Sequence, residues 1–227
     1  MQVVSRLPSE ETPARIRPLS VLPVFLDLAG KRAAVAGGTE AAAWKAELLC
    51  AAGAIVDVFA HDDELSEEML RIADRDPGLT IHRRRWDAAC LAGAAVALAD
   101  AADEAEAAAF QSAARAAGAA CNVIDRPAYC DFQFGTIVNR SPVVVGISTS
   151  GAAPILGQAV RRKIETLLPP TLADWASLAR AIRERVVEAL EPGPARRAFW
   201  ERFVDRSLGP APSDDAETDL AQLLRGI

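Results

Sequence analysis

The chain has 227 residues, of which 51% are hydrophobic and 25% are charged, a composition typical of a folded globular protein. Its net charge of -6 argues against a broad nucleic-acid-binding surface. No apolar run approaches the length of a membrane span, and the first 20 residues lack the apolar core of a signal peptide. We therefore predict a cytoplasmic protein with no membrane or nucleic-acid partner.

Short apolar strands alternate with alanine-rich helices over the first 125 residues. The pattern predicts strands at 31–36, 55–60, 79–83, 94–99 and 119–124, with helices at 40–52, 66–75 and 103–117. Strands separated by helices of this length are joined by right-handed crossovers into a parallel sheet. The predicted fold class is therefore α/β, with a Rossmann-like doubly wound sheet at 21–125 after a flexible tail at 1–20.

The pattern changes after residue 125. Two β-like runs at 132–139 and 143–148 predict a small antiparallel dimerisation unit at 126–148. Helical patterns follow at 153–168, 172–190 and 196–204, and prolines end the first two of them. These helices predict a C-terminal helical domain at 149–205, followed by a linker and tail at 206–227.

A glycine-marked turn joins the first predicted strand to the first helix. A phosphate-binding turn needs glycine where the backbone reverses and approaches a pyrophosphate, and the next helix supplies free N–H groups. An acid after the second strand often holds the adenosine ribose, and no arginine directly follows it here, which favours NAD over NADP. The candidate cofactor-binding residues are Gly37, Gly38, Thr39, Glu40, Ala41, His61 and Asp62. The alternative is a plain tight turn.

Asp125 follows the fifth predicted strand, in the segment Cys121-Asn122-Val123-Ile124-Asp125. Ligands of an open parallel sheet bind outside the carboxyl ends of the strands, so this acid faces whatever the glycine turn holds. The chain has only two histidines, which leaves a carboxylate as the stronger candidate for proton transfer. Asp125 is therefore predicted to be catalytic, and the alternative is a cap for the turn before Pro127.

Several motifs occur together, in order and with compatible spacing. They are Leu22-Pro23-Val24-Phe25-Leu26-Asp27-Leu28, Val35-Ala36-Gly37-Gly38, Lys45-Ala46-Glu47-Leu48-Leu49, the segment ending at Asp125, Arg140-Ser141-Pro142, Ile147-Ser148-Thr149-Ser150-Gly151, Arg161-Arg162-Lys163-Ile164-Glu165 and Phe199-Trp200-Glu201. Together they resemble the dehydrogenase and ferrochelatase module of siroheme synthases, which is also found as the standalone precorrin-2 dehydrogenase. The resemblance spans roughly Pro18 to Val204.

The resemblance implies that NAD takes a hydride from the tetrapyrrole precorrin-2, a proton is lost, and sirohydrochlorin results. The key aspartate of the family matches Asp125, which would take that proton and, if ferrous iron is then inserted to give siroheme, form a transient iron bond. The candidates for substrate binding are Asn122, Arg126, Arg140, Ser148 and Thr149. The strand unit predicts a homodimer paired through residues 132–148, and a separate methyltransferase would supply precorrin-2.

Two positions depart from the family pattern. Thr39 replaces the third glycine of the turn, and Ala99-Asp100-Ala101-Ala102 stands where many members have an Ala-Thr-Asp turn.

Three alternatives for the function stay open: a dehydrogenase that also inserts iron, a dehydrogenase only, and a non-catalytic NAD or tetrapyrrole sensor. A short-chain oxidoreductase is disfavoured, because the only tyrosine, Tyr129, is followed four residues later by Gln133 rather than by lysine.

Overall fold

The computed structural model describes residues 17–225. Most of the predicted tail at 1–20 lies outside the described residues. The chain divides into two compact units. The first is Val24–Phe134, and the second contains the described residues before 24 and after 134.

The first unit is built on a sheet of five parallel strands. They are β1 (Arg32–Ala36), β2 (Ile55–Phe59), β3 (Leu79–His82), β4 (Val96–Ala99) and β5 (Ala120–Val123). Their order across the sheet is β3-β2-β1-β4-β5, so the direction of winding reverses between β1 and β4. The predicted Rossmann-like doubly wound sheet is confirmed.

Helices cover both faces of this sheet. They are α1 (Glu40–Ala51), α2 (Glu67–Arg75) and α3 (Glu104–Ala116). Successive residues of β1 point to opposite faces, so Val35 packs with α1 and α2 while Ala34 packs with α3. Small residues let the helices approach closely: Ala42, Ala43 and Ala46 of α1 are completely buried. The alanine-rich composition therefore produces a thin, tightly layered core.

All four cysteines lie in the first unit. All four are free, with Cys90 and Cys121 buried and Cys50 and Cys130 half-buried. Burial raises the pKa of Cys121 to about 12 and that of Cys50 to about 11. These thiols therefore stay protonated at neutral pH.

The second unit combines a strand pair with four helices. Its elements are β6 (Thr136–Arg140), β7 (Val143–Ile147), α4 (Pro154–Leu167), α5 (Leu172–Ala189), α6 (Pro194–Ser207) and α7 (Ala216–Leu224). The two strands pair in antiparallel register, with Val138 opposite Val145. Helices α5, α6 and α7 share a separate core that includes Trp175, Phe199 and Leu223. No helix of the described chain is long and apolar enough to cross a membrane.

Strand β6 and the predicted C-terminal tail differ from the sequence prediction. Strand β6 begins at Thr136 rather than at 132, because Phe132 and Phe134 pack against the core of the first unit. Within the predicted tail at 206–227, residues 216–224 form α7, whose Leu220 and Leu223 are buried in the helical core.

Candidate active site

The glycine turn after β1 has a backbone conformation and close contacts that favour glycine over other residues. Gly37 adopts a φ of 102°, in the region that favours glycine, and its N–H donates to the carbonyl of Phe59 at 2.9 Å. A Cβ on Gly38 would lie 2.8 Å from the Leu65 side chain and 2.9 Å from the Glu64 carbonyl oxygen. Both glycines are therefore required where the chain turns over the carboxyl end of β1.

Thr39 links this turn to the end of β4. Its hydroxyl accepts the N–H of Ala42 at 3.3 Å as the N-cap of α1 and donates to Oδ2 of Asp100. The first N–H groups of a helix have no partner within the helix, and they carry positive charge. The exposed Glu40 and Ala41 lie in this first turn. The turn and helix therefore present the features that a pyrophosphate requires, at the point where the strand order reverses.

Asp125 lies just beyond β5 in a strained conformation. Its φ of 56° is in the left-handed region, which residues other than glycine rarely adopt. The flanking backbone fixes it there, because Ile124 N–H donates to the Ala99 carbonyl and Arg126 N–H donates to the Val123 carbonyl. The carboxyl group is consequently held exposed at the carboxyl edge of the sheet, as predicted. Strain held in this way is typical of functional sites.

Asp125 borders a cavity of about 540 Å³. The walls come from the ends of β4 and β5, the start of α3 and the turn after Asp125. The residues that line the cavity are Asp100, Ala101, Glu104, Ile124, Asp125, Arg126, Pro127, Ala128 and Tyr129. Three carboxylates, one guanidinium and one phenol therefore surround the cavity. Arg126 is thus in the position predicted for a substrate-binding residue, although that role stays a prediction.

Glu104 organises one side of the cavity. Its carboxylate accepts hydrogen bonds from Arg126 at 2.8 Å and from the Tyr129 hydroxyl at 2.5 Å. The hydrogen bond to Glu104 raises the pKa of Tyr129, so the phenol stays protonated at neutral pH. Sequence reasoning missed both Glu104 and Tyr129, since their relation depends on how α3 packs beside β5.

Lys45 of α1 is a second residue whose position was not predicted. Its ammonium nitrogen lies 4.9 Å from the ring centroids of both Trp44 and Phe134. Burial lowers the pKa of Lys45, while the charges of Asp125 and Asp100 act in the opposite direction. Lys45 therefore adds positive charge beside two carboxylates of the cavity. The available sequence signal was a basic residue within the otherwise alanine-rich helix that begins at the glycine turn.

The predicted ribose-binding residues lie at the same edge of the sheet. His61 and Asp62 follow β2 and are exposed. The carboxylate of Asp62 forms an ion pair with Arg83, which follows β3, and the N–H of His61 donates to Glu64 at 2.9 Å. The sequence prediction of NAD over NADP used the fact that no arginine directly follows Asp62. In the structure, β3 brings Arg83 to Asp62.

The other four predicted substrate-binding residues form hydrogen bonds within the protein. Asn122 is buried and donates to the Phe132 carbonyl at 2.9 Å. In the second unit, Arg140 donates to the Leu168 carbonyl at 3.0 Å and Ser148 accepts the N–H of Ser150 at 3.1 Å. Thr149 accepts the N–H of Ala152 through its carbonyl. Substrate-binding roles for these four residues stay predictions.

No group of three or more His, Cys, Asp and Glu side chains in residues 17–225 is arranged to hold a metal ion. The transient iron contact predicted for Asp125 would involve a metal that is a substrate, and it also stays a prediction.

Two family models match the chain. Residues 24–136 match a family described as putative NAD(P)-binding, and residues 171–225 match the sirohaem synthase dimerisation region. The first match contains the glycine turn and Asp125. The second contains the helices α5, α6 and α7, whereas the sequence prediction placed dimerisation at 126–148. The prediction for 126–148 stays untested.

Curated relatives of the chain are named siroheme synthase. The chain is 39% identical to the siroheme synthase of Methylococcus capsulatus over 85% of its own length and 40% of that protein. It is 40% identical to the siroheme synthase of Thiobacillus denitrificans over 81% of its length and 38% of that protein. The chain thus spans less than half the length of these relatives.

A solved structure shares the fold. The structure of SirC, described as a precorrin-2 dehydrogenase, superposes with a TM-score of 0.61 over 89% of this chain and 98% of that one. The two sequences are 17% identical, so this likeness shows the fold alone.

Proposed function

Because the chain belongs to the siroheme synthase family, we propose that it oxidises precorrin-2 to sirohydrochlorin with NAD as the oxidant. The observation that carries the proposal is Asp125, which is held in a left-handed conformation at the cavity beside the glycine turn. NAD supplies the hydride acceptor when it is bound. The residues of the chain then have to bind the cofactor, orient the substrate and accept a proton.

The glycine turn fits the pyrophosphate of NAD. Gly37 and Gly38 bring the backbone close to the ligand, and the N-terminus of α1 provides N–H groups and positive charge. At the end of β2, the exposed Asp62 and His61 are the proposed contacts of the adenosine ribose.

Asp125 is the proposed general base. Its carboxylate accepts the proton that precorrin-2 loses when the hydride leaves, which completes the two-electron oxidation. Lys45 adds positive charge on the side of the glycine turn, and its ammonium group interacts electrostatically with Asp125. Arg126 is the proposed partner of a substrate carboxylate, with Glu104 holding its guanidinium in place.

Iron insertion is the second proposed activity. Asp125, after releasing the first proton to solvent, would then accept one of the two pyrrole protons that ferrous iron displaces, while the other passes to solvent, or would contact the iron transiently. The same exposed carboxylate serves both reactions, so one substitution tests both.

We further propose that the protein acts as a homodimer and receives precorrin-2 from a separate methyltransferase. The match of residues 171–225 to a dimerisation region supports the homodimer. The methylation step has to occur elsewhere, because precorrin-2 is the substrate in this proposal rather than a product.

The test is anaerobic absorbance spectroscopy of enzymically generated precorrin-2 with the protein, NAD and then ferrous iron. We expect NAD-dependent formation of sirohydrochlorin, and faster conversion to siroheme than in a protein-free control if the chain is also a chelatase. Asp125→Asn should lower the oxidation rate by about a hundredfold or more, the range for loss of a general base, while calorimetry shows unchanged NAD affinity.

Asp74→Asn is the matched control, since Asp74 is exposed on α2 away from the cavity. Oxidation by Asp125→Asn at the wild-type rate would exclude Asp125 as the base. If the wild-type protein binds NAD without producing sirohydrochlorin, the result overturns the proposed oxidation and favours the sensor alternative.

A further inference from the structure

The carboxylate of Asp100 lies at the proposed pyrophosphate position. The residue follows β4, and its N–H donates to the Ala36 carbonyl at 2.9 Å. A Cβ on Gly37 would lie 3.1 Å from the Cβ of Asp100, so the two backbones are in close contact. The carboxylate then accepts the hydroxyl of Thr39. Asp100 is therefore hydrogen-bonded to Ala36 and Thr39, the residues that flank the two glycines of the turn.

This contact has two opposite effects on a bound pyrophosphate. The hydrogen bond fixes the Thr39 hydroxyl, and with it the N-cap of α1, in one orientation, which keeps the turn ready for a ligand. The negative charge, however, lies beside the helix N-terminus, which is the place that a pyrophosphate needs. The carboxylate of Asp100 and a bound pyrophosphate repel each other because both are negatively charged, and partial burial strengthens the repulsion.

We propose that Asp100 determines the cofactor affinity of this chain, by ordering the glycine turn through Thr39 and opposing the pyrophosphate with its charge. The proposal rests on the proposed function only for the location of NAD. Lys45 offsets part of the charge of Asp100, since the two groups interact electrostatically. The remaining repulsion keeps NAD binding weaker than the turn alone would allow, which favours release of the reduced cofactor after turnover.

Removing the charge while keeping the hydrogen-bond acceptor separates the two effects. Asp100→Asn retains a side-chain oxygen that can accept the Thr39 hydroxyl. We expect this variant to bind NAD about tenfold more tightly in calorimetric titrations, as one charge near a pyrophosphate predicts. Thr39→Val removes the hydroxyl and should bind NAD several-fold more weakly than wild type. Asp74→Asn changes the net charge equally and should leave the affinity unchanged.

The outcomes are distinct. Equal or weaker NAD binding by Asp100→Asn, with a wild-type circular dichroism spectrum, overturns the proposal. If Asp100→Asn does not fold, Asp100→Ser replaces it, with the same expected direction and the same criterion. A wild-type protein that binds NAD but does not oxidise precorrin-2 overturns the proposed function and leaves this inference to be judged by the dissociation constants. A wild-type protein that binds no NAD overturns both.

Discussion

Asp57 shows how a single residue ties three strands together. It lies in β2, where its carboxylate accepts Nε of Arg32 from β1 at 2.6 Å and contacts Nε2 of His82 from β3 at 2.7 Å. Arg32 also donates to the carbonyls of Ala92 and Cys90. The charges are thus paired where the sheet leaves them partly buried, which offsets the cost of removing them from water.

Replacing Asp57 by asparagine should destabilise the protein. Burial raises the pKa of Asp57, but the hydrogen bonds from His82 and Arg32 outweigh burial and leave the pKa below its usual value. The ion pair therefore contributes stability in full above the pKa of an unfolded aspartate, and this stability is lost as the pH falls through the lower folded pKa. We expect Asp57→Asn to lose about 1 to 3 kcal/mol of unfolding free energy at pH 7 in urea denaturation.

The pH dependence distinguishes lost charge from lost packing. The difference in unfolding free energy between wild type and Asp57→Asn should shrink between pH 5 and pH 3, whereas the exposed Asp74→Asn control should match wild type at pH 7. A difference that stays constant with pH would assign the effect of Asp57 to packing alone.

At the scale of single residues, the sequence identifies groups that follow a strand and misses groups that meet by packing. Asp125 could be predicted, because an acid that follows a short apolar strand comes to lie at the carboxyl edge of a parallel sheet. The position of Glu104 at the cavity and the interaction of Lys45 with Asp125 could not be predicted, because they depend on the rotation of α3 and α1 over the sheet. Arg83 reaches Asp62 through the pairing of β2 with β3, which local sequence does not encode.

Among the structural elements, the glycine turn leaves no room for a side chain at Gly38. Gly38→Ala would force its Cβ against the Glu64 carbonyl and Leu65, which lie on the connection between β2 and α2. We expect a loss of about 1 to 3 kcal/mol in unfolding free energy, the usual cost of overpacking, together with weaker NAD binding. Thermal denaturation and calorimetry measure the two effects.

Gly146→Ala is the control for that substitution. Gly146 lies in β7, and a Cβ there meets no atom within 4 Å. This variant should keep wild-type stability and NAD affinity. Equal behaviour of Gly38→Ala and Gly146→Ala would show that the turn tolerates a side chain.

The element pattern was predictable as far as periodicity reports local structure. The five strands and three helices of the first unit follow their predicted order, because buried strands and alanine-rich helices differ clearly in composition. The sequence predicted Phe132 and Phe134 as strand residues. In the structure both pack against the core of the first unit, and Phe134 contacts Trp44, which local sequence does not encode. Similarly, α7 follows a Gly/Pro/Ser segment that resembles a tail, yet its leucines complete the helical core.

At the scale of the whole molecule, two segments compete as the contact between copies of the chain. The sequence predicted the strand pair β6 and β7, whereas the match to a dimerisation region covers α5, α6 and α7. Each segment offers an exposed valine: Val144 of β7 is 40% exposed and Val204 of α6 is 56% exposed. The two valines therefore provide a matched pair of substitutions.

A charge placed in a subunit interface has to be buried without a partner, which is strongly unfavourable. If copies meet through the helices, Val204→Glu should weaken the dimer by about a hundredfold, and Val144→Glu should leave it intact. Sedimentation equilibrium at several protein concentrations measures both variants, and circular dichroism checks their folding. The opposite result would place the contact at the strand pair, as the sequence predicted. A wild-type protein that sediments as a monomer would exclude the homodimer, and loss of dimer in both variants would mean that the interface includes both segments.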